Sequence, residues 1–162
     1  MLFSFMLLSI FKVSGQEVNS KAYDLMLKGL LSHSVNEVDV KTVTEKKNVV
    51  FVDSREKSEF EVSHIEGAIW VGYENPKLKN LKDVPKESEI VVYCSVGYRS
   101  EKIAEQLGQK GFKNVSNLYG GIFEWKNQGM PVVNSDNQST EEVHAYNKVW
   151  GLWLNKGKKV YK

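Results

Sequence analysis

Four short apolar runs divide the middle of the chain into candidate strands. They lie at residues 49–52, 68–71, 90–93 and 115–118. The first and third, Val-Val-Phe-Val and Ile-Val-Val-Tyr, are continuous β-formers, which is typical of parallel strands that are covered on both faces. Residues 37–40 predict a further strand at the edge of the same sheet.

Apolar residues at helical spacing separate these strands. The clearest stretch is 100–110, where Ile103 and Leu107 share one face and Gly111 is placed to end the helix. A shorter stretch at 21–31 has the same period and predicts a helix before the first strand. Strands that alternate with helices predict an α/β fold, with a central and mostly parallel sheet joined by right-handed crossovers.

The last part of the chain predicts an amphipathic helix. A polar break at 134–140 contains Ser139, and Glu142 follows it at the spacing of a capping box. Apolar residues then recur every three or four positions up to Leu154, and they include two tryptophans. We expect this helix to pack back on the domain, and a contact with a protein partner or a membrane surface is the alternative.

The N-terminus predicts a secretory signal peptide. Residues 2–11 are apolar apart from two serines, and this run is too short to span a membrane. The small residues that end at Gly15 suit cleavage by a signal peptidase. We therefore expect an exported protein, periplasmic or secreted, with no stable membrane insertion after cleavage. The alternative is a buried N-terminal helix, although the run has no amphipathic period.

Composition narrows the function classes. A length of 162 residues with 41% hydrophobic and 26% charged residues favours one globular domain with a substantial core. The net charge of +2 is too small to indicate nucleic-acid binding. The single cysteine excludes an intramolecular disulfide and a zinc site of several thiolates. We expect no metal and no cofactor, and the cysteine is either inert or catalytic.

The cysteine occupies a place that favours catalysis. Cys94 directly follows the strand at 90–93, and ligands of open α/β sheets bind at the carboxyl ends of the strands. The candidate anion-binding loop continues with Ser95, Val96, Gly97, Tyr98 and Arg99. Such a tight loop turns backbone N–H groups toward the sulfur and stabilises a thiolate, a persulfide or an oxyanion. Arg99 adds a forked cation for a sulfonate-like group. A lone cysteine is more often a small buried hydrophobe, but this context favours a nucleophile.

Four motifs in this order resemble those of the single-domain rhodanese-like sulfurtransferases. They are Val-Val-Phe-Val-Asp-Ser-Arg at 49–55, Glu-Phe followed by His-Ile-Glu-Gly-Ala within 59–68, Cys-x-x-Gly-x-Arg at 94–99, and Gly-Gly-x-x-x-Trp at 120–125. The resemblance implies a three-layer α/β sandwich over residues 37–133. The remaining segments are then the signal peptide (1–15), an N-terminal helix segment (16–36) and the C-terminal helical extension (134–162).

The resemblance also implies a reaction. Cys94 would accept a sulfane sulfur from thiosulfate or a persulfide donor, become a persulfide, and pass the sulfur to a thiol or to cyanide. Asp53 and Arg55 would support the site by hydrogen bonds and charge; a turn cap with a surface ion pair is the alternative. Ser63 stands where the family usually has glycine. We expect His64 to be a hydrogen-bonded fixture, because persulfide transfer needs no general base.

Two other functions compete with this interpretation. Phosphatases and arsenate reductases of related fold have five residues between cysteine and arginine, whereas this loop has four, which suits a sulfur atom better than a tetrahedral oxyanion. The other alternative is a binding module that carries a persulfide for a partner protein and does not use thiosulfate. Sulfur transfer from thiosulfate to cyanide by the isolated domain distinguishes the carrier from the enzyme.

Overall fold

A computed structural model describes residues 18 and 20–161, so the predicted signal peptide at 1–15 lies outside the described residues. The helices and strands are, in chain order, α1 (Lys21–Leu30), β1 (Asn36–Val38), α2 (Val40–Glu45), β2 (Val50–Asp53), α3 (Lys57–Val62), β3 (Ile69–Trp70), β4 (Glu89–Tyr93), α4 (Tyr98–Gln109), β5 (Asn114–Leu118), α5 (Gly121–Asn127), β6 (Val132–Val133), β7 (Ser139–Thr140), β8 (Glu142–His144) and β9 (Lys158–Val160). Two 3₁₀ helices lie at Leu78–Leu81 and Trp150–Trp153.

The central sheet has five strands in the order β1-β5-β4-β2-β3, and all its pairings are parallel. β4 lies in the middle, where Val91 pairs with Phe51 of β2 and with Ser116 of β5. The predicted strands are confirmed to within about two residues, including the strand at the sheet edge, which is β1. Because β4 is paired along both of its edges, the position of the residue that follows it is well defined.

Apolar side chains fill both faces of this sheet. Along β4, Val91 and Tyr93 belong to the core that α1, α2 and α5 cover, whereas Ile90 and Val92 belong to the core that α4 and the first 3₁₀ helix cover. This alternation follows from the period of two along a strand. The predicted three-layer arrangement, with helices on both faces, is confirmed.

The two helices that the sequence predicts at 21–31 and 100–110 are also present. α1 starts after Ser20, whose side chain accepts a hydrogen bond from the backbone N–H of Tyr23. α4 begins two residues before the predicted start of its helix, immediately after Gly97. Gly111 follows its end with φ +87°, which is the left-handed conformation that favours glycine at this position.

The predicted C-terminal amphipathic helix is wrong. Ser139 lies in β7, which pairs antiparallel with β6, and Glu142 begins β8, which pairs with β9. The break at 134–138 forms a turn instead of a helix cap, because the Asn134 side chain accepts the N–H groups of Asp136 and Gln138. Strand pairing therefore uses the backbone groups that a helix would have needed.

The C-terminal segment nevertheless packs on the domain, as expected. Trp153 stacks on Tyr23 of α1 with ring centroids 5.3 Å apart. Asn127 of α5 donates a hydrogen bond to the Trp153 carbonyl and accepts two more from the backbone N–H groups of Asn155 and Lys156. Within residues 18 and 20–161, the helices are all too short or too polar to cross a membrane.

Candidate active site

Cys94 lies at the carboxyl end of the central strand β4, between that strand and α4. Its side chain is 1% exposed and borders a cavity of about 420 Å³. The cavity is lined by Leu30, Glu56, Tyr73, Glu74, Cys94, Ser95, Val96, Tyr98, Arg99, Tyr146 and Trp150. The sulfur is thus largely shielded from bulk water, and this cavity gives access to it.

The loop after Cys94 directs a backbone donor at the sulfur. The N–H of Gly97 donates to Sγ over 3.1 Å, and Gly97 adopts φ +124°. Its carbonyl accepts hydrogen bonds from the side chains of Ser100 and Asn117, each at 3.0 Å. These contacts hold the peptide at one orientation, which favours negative charge on the sulfur. The predicted turning of loop N–H groups toward the sulfur is thus observed for the N–H of Gly97.

The Gly-Gly motif allows α5 to approach this loop. Ile122 and Phe123, in the first turn of α5, donate their N–H groups to the carbonyls of Cys94 (2.9 Å) and Ser95 (3.1 Å). A Cβ atom on Gly121 would lie only 2.5 Å from the Cys94 carbonyl oxygen. The absence of a side chain at Gly121 therefore permits the close approach, and the loop carbonyls point at α5 instead of at the cavity.

Arg99 is not a free cation. Its two terminal nitrogens bind both carboxylate oxygens of Glu59, at 2.6 and 2.8 Å, and one of them also donates to the hydroxyl of Ser95 at 3.0 Å. The Tyr146 ring lies 5.2 Å from the guanidinium carbon. The prediction of an open fork that awaits a sulfonate-like group therefore needs correction: in this structure the fork holds Glu59.

Glu59 and Arg99 fix each other in the charged form. Burial would raise the pKa of Glu59, but hydrogen bonds and charge from Arg99 outweigh it and lower that pKa from its ordinary value. Burial would likewise lower the pKa of Arg99, yet Glu59 and the Cys94 sulfur raise it. Sequence reasoning missed this role of Glu59. The helix Lys57–Val62 is mostly polar, so its composition does not single out Glu59; the available signal was the Glu-Phe motif at 59–60, 40 residues before an arginine that needs a counter-charge.

Asp53 and Arg55 form a second ion pair, completely buried beneath the site. Their side chains are both 0% exposed, and the contact is bidentate, with Nε–Oδ1 at 3.1 Å and Nη2–Oδ2 at 2.6 Å. Arg55 also donates to the carbonyl of Ser63 at 2.6 Å. Burial opposes the charge of Arg55, but Asp53 raises its pKa overall. The alternative of a surface ion pair is wrong, and the geometry fits a supporting role.

The remaining candidate residues lie where they can shape the cavity. Ser95 is buried and donates to Glu59 at 3.1 Å, while Val96 packs into the core beside α1. Tyr98 starts α4 and is 44% exposed at the cavity mouth. His64 lies elsewhere: it stacks on Phe60 and contacts that residue's carbonyl at 3.0 Å. Within the part of the chain that the structure describes, no group of His, Cys, Asp and Glu side chains could hold a metal ion.

Curated relatives match somewhat less than two thirds of the chain. The chain is 34% identical over 111 residues to a tRNA uridine(34) hydroxylase of Yersinia pestis, and equally to that of Yersinia enterocolitica. The match includes 63% of this chain but only 31% of the Yersinia pestis protein. The chain therefore spans about a third of the length of these curated relatives.

Solved structures resemble the fold. A Bacillus halodurans protein superposes with a TM-score of 0.56 at 26% identity, covering 70% of this chain and 85% of that one. A thiosulfate sulfurtransferase of Pseudomonas aeruginosa gives a TM-score of 0.58 at 19% identity, covering 75% of this chain and 24% of that one, which is a likeness of fold. The family model of the rhodanese-like domain matches residues 37–128, which is more than half of the chain. With its parallel sheet and its cysteine loop at the end of β4, the chain belongs to the rhodanese-like domain family.

Proposed function

We propose that this protein is a sulfurtransferase that carries sulfane sulfur on Cys94. The observation that carries the proposal is the hydrogen bond from the Gly97 N–H to Sγ, in a sheltered loop that opens into a cavity. A donor aimed at the sulfur stabilises the thiolate that attacks and the persulfide that results. The rhodanese-like family membership supports the same chemistry.

The reaction has two displacements at sulfur. The Cys94 thiolate attacks the outer sulfur of thiosulfate, a Sγ–S bond forms, and sulfite leaves with the electron pair of the broken S–S bond. An acceptor such as cyanide or a thiolate then attacks the outer sulfur of the persulfide, and the Cys94 thiolate leaves. No general base is needed, which agrees with His64 lying outside the cavity lining. A persulfide donor would enter the same first step.

The pairing of Arg99 with Glu59 argues against phosphatase chemistry. A phosphate would need the guanidinium fork, and the carboxylate of Glu59 already binds both of its terminal nitrogens. The Yersinia tRNA uridine(34) hydroxylases are about three times longer than their match with this chain. We therefore propose sulfur transfer for this chain and no tRNA substrate.

The test combines mass spectrometry with a turnover assay. After incubation with thiosulfate, we expect the intact mass of the protein to gain one sulfur atom, and we expect thiocyanate to form on addition of cyanide. Cys94→Ser should show neither result. His64→Gln should keep both, because its imidazole faces Phe60 and not the cavity.

Two results would change the proposal. Thiocyanate production by folded Cys94→Ser would overturn the covalent mechanism. Failure with thiosulfate, together with persulfide formation on Cys94 from a protein persulfide donor, would favour the alternative of a persulfide carrier.

A further inference from the structure

The cavity beside Cys94 is shaped in part by segments outside the sheet and its loops. Leu30 comes from α1, and Tyr146 and Trp150 come from the C-terminal segment, beyond the 37–128 match to the family. The volume of about 420 Å³ lies in the range that accommodates organic ligands. Thiosulfate and cyanide would fill only a small part of this space. The geometry therefore has room for the body of a larger sulfur acceptor.

The charge of the lining opposes an anionic acceptor. Among the described residues that line the cavity, the charged ones are Glu56, Glu74 and Arg99. The positive charge of Arg99 is neutralised by Glu59, which binds it through two hydrogen bonds. The exposed carboxylates of Glu56 and Glu74 are thus left without a positive counterpart among the described lining residues. This arrangement favours a cationic acceptor over an anionic one.

Aromatic rings make up much of the apolar lining. Tyr73, Tyr98, Tyr146 and Trp150 surround the opening together with the side chain of Leu30. Aromatic faces bind protonated amines and alkyl or aryl groups, and the attraction for a cation grows where water is partly excluded. Tyr146 adopts φ +62°, a costly conformation for a bulky residue, and this places its ring against Arg99 at the cavity wall.

We propose that the acceptor of this sulfurtransferase is a small organic thiol that carries a protonated amine on an apolar body, selected by Trp150, Glu56 and Glu74. The inference rests on the function proposed above and specifies its second step. The amine would lie between the aromatic rings and the two carboxylates, and the thiol would reach the sulfur on Cys94.

The transfer step conserves atoms and electrons. The acceptor, which has lost its thiol proton to solvent, attacks the outer sulfur of the Cys94 persulfide as a thiolate. A sulfur–sulfur bond forms between acceptor and outer sulfur, the bond from that sulfur to Sγ breaks, and its electron pair stays on Sγ. The products are the acceptor persulfide and the Cys94 thiolate, which the Gly97 N–H stabilises. No oxidant or reductant enters this step.

The first experiment compares two acceptors of matched length. Protein is loaded with sulfur from inorganic polysulfide, and persulfide on Cys94 is verified by intact mass. Its decay is then followed with cysteamine and with 3-mercaptopropionate, and each rate is corrected for the fraction of thiolate. We expect the wild type to favour cysteamine, and Glu56→Gln/Glu74→Gln to reduce that preference by about fivefold, as expected for two exposed charge contacts.

A matched charge control accompanies this comparison. Glu61→Gln/Glu66→Gln removes the same charge from two exposed positions outside the cavity lining and should leave the preference unchanged. A wild type that favours 3-mercaptopropionate would overturn the inference. An equal preference in the wild type and in Glu56→Gln/Glu74→Gln would overturn it as well.

The second experiment does not depend on sulfur transfer. Because Cys94 is the single cysteine, alkylation by iodoacetamide reports this site alone. We expect phenethylamine to slow the alkylation and 3-phenylpropionate not to. Trp150→Ala should weaken the protection about fivefold and Trp150→Phe should retain most of it, because a ring face is kept. Leu152→Ala, on the same 3₁₀ helix but 70% exposed and outside the lining, should behave as wild type.

The two experiments separate the two proposals. Protection by phenethylamine without persulfide formation from any donor would overturn the sulfurtransferase function, and the acceptor step with it. Persulfide formation with equal protection by the amine and the acid, or with none from either, would overturn the acceptor inference alone.

Discussion

Two arginine–carboxylate pairs lie at the active site, and they differ in where their partners come from. Asp53 and Arg55 are two residues apart, and both side chains are 0% exposed. Glu59 and Arg99 are 40 residues apart, with side chains 2% and 13% exposed. Both pairs are bidentate. The first fixes the chain that leaves β2, whereas the second ties the cysteine loop to α3 at the edge of a cavity.

The comparison shows that one type of ion pair can support the fold in one place and influence ligand specificity in another. The deep pair has no solvent to replace a lost partner, and Arg55 Nη1 already lacks a hydrogen-bond partner among the described residues. The outer pair retains some contact with water and determines the charge that an incoming ligand meets. We therefore expect changes in the first pair to act on stability, and changes in the second to act on stability and on substrate preference.

The largest effect is expected for Asp53→Asn. This change leaves the buried guanidinium of Arg55 without a counter-charge and should reduce the free energy of unfolding by about 3–5 kcal/mol. Urea denaturation measures the loss. Glu61→Gln, which removes an exposed carboxylate 3.8 Å from Lys57, is the control and should cost less than about 0.5 kcal/mol. A loss below about 1 kcal/mol for Asp53→Asn would contradict the supporting role of the pair.

Glu59→Gln should have a smaller effect on stability, about 2–3 kcal/mol, because the partly exposed Arg99 can be solvated in part. The same change frees the guanidinium for an anion. We therefore expect the KM for thiosulfate to decrease while the protein becomes less stable. Urea denaturation and steady-state kinetics measure the two effects. An increase in KM at unchanged loop structure would show that Glu59 does not neutralise Arg99 toward substrate.

Arg99→Lys should be milder still, with a loss of about 1–2 kcal/mol. A single ammonium cannot make the two hydrogen bonds to Glu59 and the third to Ser95, so the loop loses part of its anchoring. We expect kcat/KM for thiosulfate to fall about tenfold because Cys94 is less well positioned. Unfolding by urea and sulfur transfer should be measured together. Wild-type kinetics in this variant would show that a single ammonium group bound to Glu59 is sufficient to position the loop.

The smallest expected effect is a dependence on pH. The pKa of Glu59 is lowered in the folded protein from its ordinary value of 4.5, so the stability that its carboxylate contributes is complete above that value. It is lost as the pH falls through the lowered pKa. The difference in unfolding free energy between wild type and Glu59→Gln should therefore be constant near neutral pH and shrink below about 4.5. A difference that does not change down to the acid unfolding transition would contradict this assignment.

Local features of the site could be predicted because short segments encode them. The run before Cys94 specifies a buried strand, and Gly97 permits the positive φ that the loop requires. The close approach of α5 could also be expected from Gly120 and Gly121. In each case, the residues that determine the conformation are neighbours in the chain.

The C-terminal segment shows where such reasoning fails. Val143, Tyr146 and Trp150 have the spacing of a helix face, but Val143 lies in β8, Tyr146 in a left-handed turn and Trp150 in a 3₁₀ helix. Periodicity alone did not reveal that β7 would pair with β6, or that β8 would pair with β9. Tertiary contacts with α1 and α5 override a modest helical preference.

By itself, the sequence determined the parallel sheet, the position of Cys94 at the end of a central strand, and the four-residue loop to Arg99. These depend on hydrophobic periodicity and turn chemistry, which act over a few residues. Only the tertiary structure decided that Arg99 binds Glu59 and that Tyr146 and Trp150 line the cavity. Those contacts join residues that are some 40 or 50 positions apart, and chain topology rather than local preference selects which of many possible partners meet.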